Sequence, residues 1–338
     1  MKSPAVYFKG LFSGNAGNRT AAAEQPFSAM VRKEVADHIR SWRFIVLLAI
    51  VLLTFFGSMY VSLSNISKAT GNVTDPDRLF LYLKLLTITD NTLPPFHIFV
   101  GFLGPLLGIG LGFDAVNAEQ NNGTLIRLLA QPVYRDNLLL SKFTGALIVI
   151  SVLFLSLALL MIGGGLIITG VKIEPQEFLR ILCFILLTIV YIGFWLNLSI
   201  LLSVVFRQAA TSALTAIGIW LFFTVFYQLV INLAIKAFLP DPALLMPEEI
   251  AAYNDRINTF FRLAPSQLYA DGTTTLLMPS VRSLGPLSME QMAGAVPSPL
   301  PLRESLLIVW PQLCGLVAAT LLCFALAYYL FMRREVRN

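Results

Sequence analysis

Six long stretches of apolar residues without charge limit what this 338-residue chain can fold into. A helix needs about 20 apolar residues to cross the hydrocarbon core of a bilayer. Outer-membrane strands run only about 10 residues and alternate polar with apolar side chains. Because the bilayer core offers no water to backbone groups, each stretch is predicted to be helical. The six predicted spans are 44–64, 96–113, 143–169, 181–205, 212–235 and 306–332.

The composition excludes several other classes of protein. Hydrophobic residues make up 57% of the chain and charged residues 13%, whereas a soluble domain is about 25% charged. A soluble enzyme is therefore excluded, and so is a nucleic-acid binder, because no basic stripe is present. The three cysteines all lie in apolar runs and predict neither a disulfide nor a metal site.

The distribution of Lys and Arg predicts the orientation in the membrane. With the N-terminus placed inside, 14 of the 24 basic residues fall in inside segments, although these segments are the shorter ones. Cytoplasmic segments carry an excess of Lys and Arg in membrane proteins. Both termini are therefore predicted to be cytoplasmic.

The predicted fold class is an all-α polytopic membrane protein with six transmembrane helices. Residues 1–25 form a disordered cytoplasmic leader. Residues 26–43 form an amphipathic interfacial helix, because their apolar residues recur at helical spacing beside a charged face. Residues 44–235 hold spans one to five, with a cytoplasmic segment at 114–142. Residues 236–305 form the largest extracytoplasmic segment, and 306–338 hold span six and a cytoplasmic tail.

The segment between spans two and three has the pattern of a docking element. A turn at 121–123 is followed by a short helix with an apolar face, which Pro132 ends. A short helix with apolar anchors and charged rims could insert into a groove of a partner protein. The alternative is that these residues only cap a local turn.

This segment resembles the type-2 permease family of ABC transporters. The family pattern is E-x-x-x-G-T-L-x-x-L-L-x-x-P-x-x-R, followed seven residues later by Lys. The chain matches it in register, with Lys142 at the last position. Leu263-Ala264-Pro265-Ser266 also resembles the family's L-x-P-S motif. The resemblance implies that a separate ATP-binding subunit is contacted by Glu119, Gly123, Thr124, Leu125, Leu128, Leu129, Pro132 and Arg135.

The chain carries no nucleotide site of the phosphate-loop kind, because G-x-x-x-x-G-K-[ST] is absent from its sequence. With only two histidines, zinc-protease chemistry is excluded. No charged residue lies in the middle of a predicted span, which argues against a proton- or sodium-coupled carrier. The chain is therefore interpreted as a non-enzyme with no cofactor of its own, and the resemblance places ATP and Mg in the partner subunit.

Few polar residues lie within the predicted spans. The candidates for a substrate path are Asn197, Gln228 and Asn232, of which the last two lie one helical turn apart. Hydrogen bonding between helices is the alternative, and it is favoured over the path.

The leading interpretation is the membrane subunit of an ATP-driven exporter in a prokaryotic plasma membrane. It would pair with a second copy or a paralogue and move an amphipathic or lipid-like substrate. The alternative is a scaffold subunit of an ABC-type complex that serves envelope assembly, gliding or metallocentre maturation, with an extracytoplasmic protein bound at 236–305. An uncoupled channel is disfavoured because no span has a continuous polar face.

Overall fold

The computed structural model describes residues 26–69, 80–88, 93–124, 135–238, 247–279 and 300–333. Within these ranges the regular structure is helical and contains no strand. A π-helical turn, Phe222–Phe226, separates α8 from α9. The helices are α1 (Pro26–Arg40), α2 (Trp42–Ala69), α3 (Leu81–Thr87), α4 (Phe96–Gly112), α5 (Asn117–Asn121), α6 (Arg135–Thr169), α7 (Pro175–Val205), α8 (Ala209–Leu221), α9 (Tyr227–Phe238), α10 (Pro247–Phe261), α11 (Pro265–Leu277) and α12 (Leu302–Arg333).

Six helical segments in the described part of the chain are long and apolar enough to cross a bilayer. The predicted all-α polytopic fold with six such helices is therefore confirmed, while the orientation of the termini stays a prediction. Several helices start earlier than the apolar runs do. The third span begins at Arg135 and the fourth at Pro175, because helical hydrogen bonding continues into the polar flanks. Pro175 suits the first position of the fourth span, because a backbone N–H in the first turn of a helix has no acceptor within the helix.

The fourth span, α7, is the centre of the bundle. Its fully buried side chains include Trp195, Tyr191 and Ile192, and it packs against α4, α6, α11 and α12. The close approach of α4 depends on glycine. A methyl group on Gly108 would lie 2.7 Å from the Ile192 carbonyl oxygen, and one on Gly112 would lie 2.8 Å from that of Leu196. The G-x-x-x-G steps of α4 are thus the contact surface for α7.

The outer helices α2, α8, α9 and α12 present apolar side chains outward. Leu53, Leu214, Leu307 and Trp310 are all more than 60% exposed. So large an apolar surface is incompatible with water and suits lipid or another membrane subunit. The protein is an integral membrane protein.

The bundle has two ends that are built differently. The α1 end holds α1, α5 and the loop at Arg207 that joins α7 to α8. The opposite end, named the α11 end, holds α3, α11 and the first turns of α7 and α12. The predicted leader at 1–25 and most of the Pro-rich stretch at 279–301 lie outside the described residues.

Candidate functional site

The site begins where α1 lies against α6. Gly145 permits this contact, because a methyl group there would lie 2.8 Å from the Glu34 Cβ atom and 3.5 Å from the Val35 nitrogen. Val35 packs against the hydrophobic core, whereas Lys33 points to the surface. The amphipathic sequence of α1 therefore packs along a span and places its charged residues beside the start of α6.

Four charged side chains form a network at this contact. The Lys142 ammonium group lies 3.1 Å from Glu34 Oε1 and 2.7 Å from Glu119 Oε1. Lys33 lies 3.2 Å from Glu34 Oε1 and 3.4 Å from Glu119 Oε1. The side chains of Lys142, Glu34 and Glu119 are only 5%, 9% and 13% exposed. The network thus joins α1, α5 and α6 through charges that are largely removed from water.

Burial and the neighbouring charges act in opposite directions on the pKa values of Glu34 and Lys33. Burial raises the pKa of the Glu34 carboxyl, but the ammonium groups of Lys142 and Lys33 lower it more, so the net pKa is below its ordinary value. Burial lowers the pKa of Lys33, and the carboxylates of Glu34 and Glu119 raise it above its ordinary value. Both residues are therefore charged at neutral pH, and their attraction favours the closed network.

The segment after α4 is fixed to the bundle by further polar contacts. The backbone N–H groups of Val116 and Asn117 donate to Ser203 Oγ of α7 at 3.0 and 3.2 Å. Arg43 at the start of α2 pairs with Asp114, and its guanidinium group lies over the Phe113 ring. These contacts connect the segment that leads into α5 with α2 and α7.

The turn at the end of α5 matches the conformation that glycine favours. Gly123 has φ +67°, in the left-handed region. The Thr124 hydroxyl donates to the Glu119 carbonyl at 3.2 Å, and the Asn121 amide donates to the Arg207 carbonyl at 3.3 Å. The Gly-Thr pair of the sequence motif therefore closes a turn directly behind Glu119.

The structure brings together only part of the predicted contact set. Glu119, Gly123 and Thr124 lie in one turn, and Lys142, the last position of the motif, pairs with Glu119. Leu125, Leu128, Leu129 and Pro132 lie outside the described residues, and so does the Arg135 side chain. Lys33 and Glu34 were not predicted as site residues, because their partners are 86 and 108 residues away in the sequence.

The three predicted path residues lie in two different environments. Asn197 is fully buried and its amide donates to the Thr320 carbonyl of α12 at 2.8 Å. Gln228 and Asn232 lie on α9 and are exposed. Asn197 therefore makes a hydrogen bond between spans, whereas Gln228 and Asn232 lie at the surface of α9.

The α11 end holds two buried charged residues that the sequence pattern did not predict. Arg180 directly precedes the predicted span 181–205, but it is fully buried in α7 and donates to the Leu276 carbonyl at 3.0 Å, the Leu300 carbonyl at 2.6 Å and Ser305 Oγ at 3.2 Å. One turn earlier, Glu177 accepts the Tyr82 N–H of α3 at 2.9 Å. The Glu177 carboxylate lies at the starts of α3 and α7, where the helix dipole favours negative charge, and the Arg180 guanidinium binds a carbonyl at the end of α11, where the dipole favours positive charge.

The described residues offer no centre for a metal ion, since no group of three or more His, Cys, Asp or Glu side chains converges among them. What the α1 end offers instead is a rigid joint between a surface helix, a short exposed turn and a membrane span.

Comparison with known proteins identifies the family. Residues 28–336 match the family described as ABC-2 family transporter protein. The probable ABC transporter permease protein NosY of Stutzerimonas stutzeri is 26% identical over 307 residues, which cover 90% of this chain and 97% of the relative. The protein of the same name from Pseudomonas aeruginosa is 29% identical over 212 residues, covering 59% of this chain and 67% of the relative. With six spans and a match across nearly its whole length, this chain belongs to the ABC-2 family and is a permease subunit of an ABC transporter.

Proposed function

We propose that this subunit exports an amphipathic or lipid-like substrate, driven by a separate ATP-binding subunit that docks at the α1 end. The observation that carries the proposal is the Lys142 network, which joins α1, α5 and α6 through Glu34 and Glu119. A push on the turn after α5 reaches α6 through this network and α7 through Ser203. This end is then the cytoplasmic one, as the distribution of basic residues predicts.

The proposed mechanism is a rigid-body movement of spans. Binding of ATP and Mg closes two partner subunits, which press on residues 119–135 and on α1. Because packed helices move as units rather than deform continuously, the spans switch between two arrangements with opposite access. Two copies of the chain, or this chain and a paralogue, supply twelve spans in a prokaryotic plasma membrane.

The nature of the proposed substrate follows from the surfaces that the spans present. The outward faces of α2, α8 and α12 carry many large apolar side chains, while Gln228 and Asn232 add two exposed amides on α9. A path with apolar walls and a few amides fits a molecule with an apolar body and a polar group better than an inorganic ion.

The first experiment isolates the tagged chain from its native membrane in mild detergent and identifies what co-purifies. We expect a stoichiometric protein that carries the G-x-x-x-x-G-K-[ST] phosphate loop, with ATP hydrolysis that vanadate inhibits. Leu125→Asp combined with Leu128→Asp should abolish this co-purification and leave membrane insertion intact, because charge on an apolar anchor prevents docking.

Asn122→Asp is the matched control, since it adds charge to the same turn at an exposed polar position. Equal recovery of the ATP-binding protein with the double Leu variant would contradict the docking assignment. Absence of any ATP-binding protein from the unaltered chain would favour the scaffold function.

Export is tested in proteoliposomes that contain the purified complex and a fluorescent short-chain phospholipid. ATP should move the probe across the bilayer, and the Leu125→Asp/Leu128→Asp variant should not. A complex that hydrolyses ATP but moves neither this probe nor other amphiphiles would argue against the substrate class while leaving the docking site in place.

A further inference from the structure

The fifth span contains one irregular turn. The Tyr227 N–H donates to the Phe222 carbonyl, five residues back, instead of the Phe223 carbonyl, four residues back, as in an α-helix. Phe222–Phe226 are therefore π-helical. Such turns accommodate one additional residue within a helix, and they occur frequently at functional sites.

This π turn is bonded to the corner between α10 and α11 in both directions. The Ser266 hydroxyl of α11 donates to the Phe223 carbonyl at 3.2 Å. The Tyr227 hydroxyl of α9 donates to the Phe260 carbonyl of α10 at 2.6 Å. The carbonyl that an α-helix would pair with the Tyr227 N–H thus accepts a bond from Ser266. Ser266 is the last residue of the Leu263-Ala264-Pro265-Ser266 motif, and this bond gives the motif a physical role.

The π turn determines which residues of α9 share a face. One residue of helix corresponds to a rotation of about 100°. With the π turn, the polar residues Gln228, Asn232 and Lys236 form one row of exposed positions spaced by four on α9. If the turn relaxed to an α-helix, the residues one position earlier would take their places. That face would then consist of Tyr227, Ile231 and Ile235, and its amides and ammonium group would be gone.

The polar stripe of α9, meaning Gln228, Asn232 and Lys236, continues onto α11. The Gln228 amide lies 3.5 Å from Gln267 Oε1, and the Gln267 amide donates to Asp271 Oδ1 at 2.7 Å. Asp271 Oδ2 also lies 3.6 Å from Arg262 Nε. The π register therefore aligns the stripe with a polar chain on the neighbouring helix, which the α register would break.

We propose that Ser266 is a positioning residue that holds the fifth span in the π register and thereby turns the polar stripe of α9 toward Gln267. Without its hydroxyl the turn relaxes to an α-helix, α9 rotates by about 100°, and an apolar face replaces the stripe. The consequence for substrate passage rests on the proposed export function, whereas the register itself does not.

The register is measured by a thiol cross-link. Gln228→Cys and Gln267→Cys are introduced into a chain whose Cys183, Cys314 and Cys323 are replaced by Ala, and native membranes are treated with a bifunctional maleimide that has a short spacer, because the two Gln side chains meet only at their ends. With Ser266 present we expect efficient cross-linking of the pair. Ser266→Ala should reduce the cross-linked fraction at least fivefold, and Ser266→Thr, which keeps the hydroxyl, should restore it.

Thr274→Val is the matched control, because the Thr274 hydroxyl bonds only within its own helix, to the Ala270 carbonyl at 2.8 Å. This variant should cross-link like the unaltered chain. A general loosening of α11 would lower the cross-link in Thr274→Val as well and would not be rescued by Ser266→Thr. An unchanged cross-linked fraction in Ser266→Ala overturns the proposal. The assay is read in membranes, so it requires only that the chain inserts.

Transport in proteoliposomes separates the two proposals. Ser266→Ala should lose ATP-driven movement of the fluorescent phospholipid while still co-purifying with the ATP-binding subunit. If the cross-link falls but the unaltered complex moves no amphiphile, the export function fails and the register assignment stands. If transport occurs and the cross-link is insensitive to Ser266, the register assignment fails and export stands.

Discussion

The Lys142 ammonium group has two carboxylate partners, at 3.1 and 2.7 Å, although its side chain is only 5% exposed. Removal of a charge from water is unfavourable, and only the partners make it tolerable. Lys33 also contacts both carboxylates but is about half exposed. Loss of Lys142 therefore leaves the buried Glu34 and Glu119 carboxylates without their buried counter-charge. Loss of Lys33 has a smaller effect, because water already reaches its side of the network.

Lys142→Met should lower the free energy of unfolding by about 3 kcal/mol, since it leaves the Glu34 and Glu119 carboxylates buried with one partial partner. Thermal unfolding of the purified protein in detergent measures the loss. Adding Glu34→Gln and Glu119→Gln should recover most of it, because no buried charge then remains. Lys172→Met, at an exposed position, is the control and should be neutral. Equal effects of the two Lys variants would show that the network contributes no stability.

At the scale of elements, the close approach of α4 and α7 is built on backbone. The space beside Gly108 is filled by the Ile192 carbonyl and the Leu196 nitrogen, at 2.7 and 2.9 Å from where a methyl group would lie. Flexible side chains can move aside for a methyl group, but a helix backbone moves only as a whole. The two spans can therefore pack in this way only with glycine at this position.

Gly108→Ala should destabilise the protein by about 2 kcal/mol through overpacking, because α4 must move away from α7. Gly218→Ala is the matched control. Nothing lies within 4 Å of the corresponding methyl position at Gly218, and alanine favours helix over glycine by up to about 1 kcal/mol. Opposite shifts of the two melting temperatures are expected. A destabilisation of the same size in both variants would contradict the packing argument.

At the scale of the whole molecule, Arg180 closes the α11 end while the Lys142 network closes the α1 end. Arg180 takes its partners from α11, from Leu300 and from the first turn of α12. Its neighbour Glu177 binds the first turn of α3. One turn of α7 therefore holds α3, α11 and the chain from Leu300 into α12 together at this end. The same helix connects the two ends through the centre of the bundle.

Arg180→Met should open the α11 end without affecting the α1 end. This variant leaves the Leu276 and Leu300 carbonyls buried without their donor, which should lower the stability of this end by about 2 kcal/mol. Hydrogen exchange should accelerate in residues 265–277 and 302–310 and stay unchanged in residues 26–40. Arg303→Met, at an exposed position of α12, should change neither region. Faster exchange throughout the chain would indicate global unfolding instead of local opening.

Hydropathy alone predicts the six spans, because the bilayer imposes helices of a minimum length on any chain that crosses it. The G-x-x-x-G steps of α4 and the turn at Gly123 are also local signals, and a pattern of a few residues identifies them. Glu119 was found as part of a motif, and Lys142 completes the same pattern. These features share one property, which is that the interactions responsible for them act over short distances along the chain.

No short sequence pattern indicates the partners of Glu119 or the role of Ser266. Lys33 and Glu34 look like the charged face of any amphipathic helix, and Arg180 looks like a loop residue beside a span. Their identity depends on contacts between residues about 40 to 125 positions apart. The apolar pattern determined that the described residues form six helices long and apolar enough to cross a membrane. Tertiary packing alone determined which charges are buried together and which register the fifth span adopts, because local periodicity carries no information about what lies on the other side of a helix.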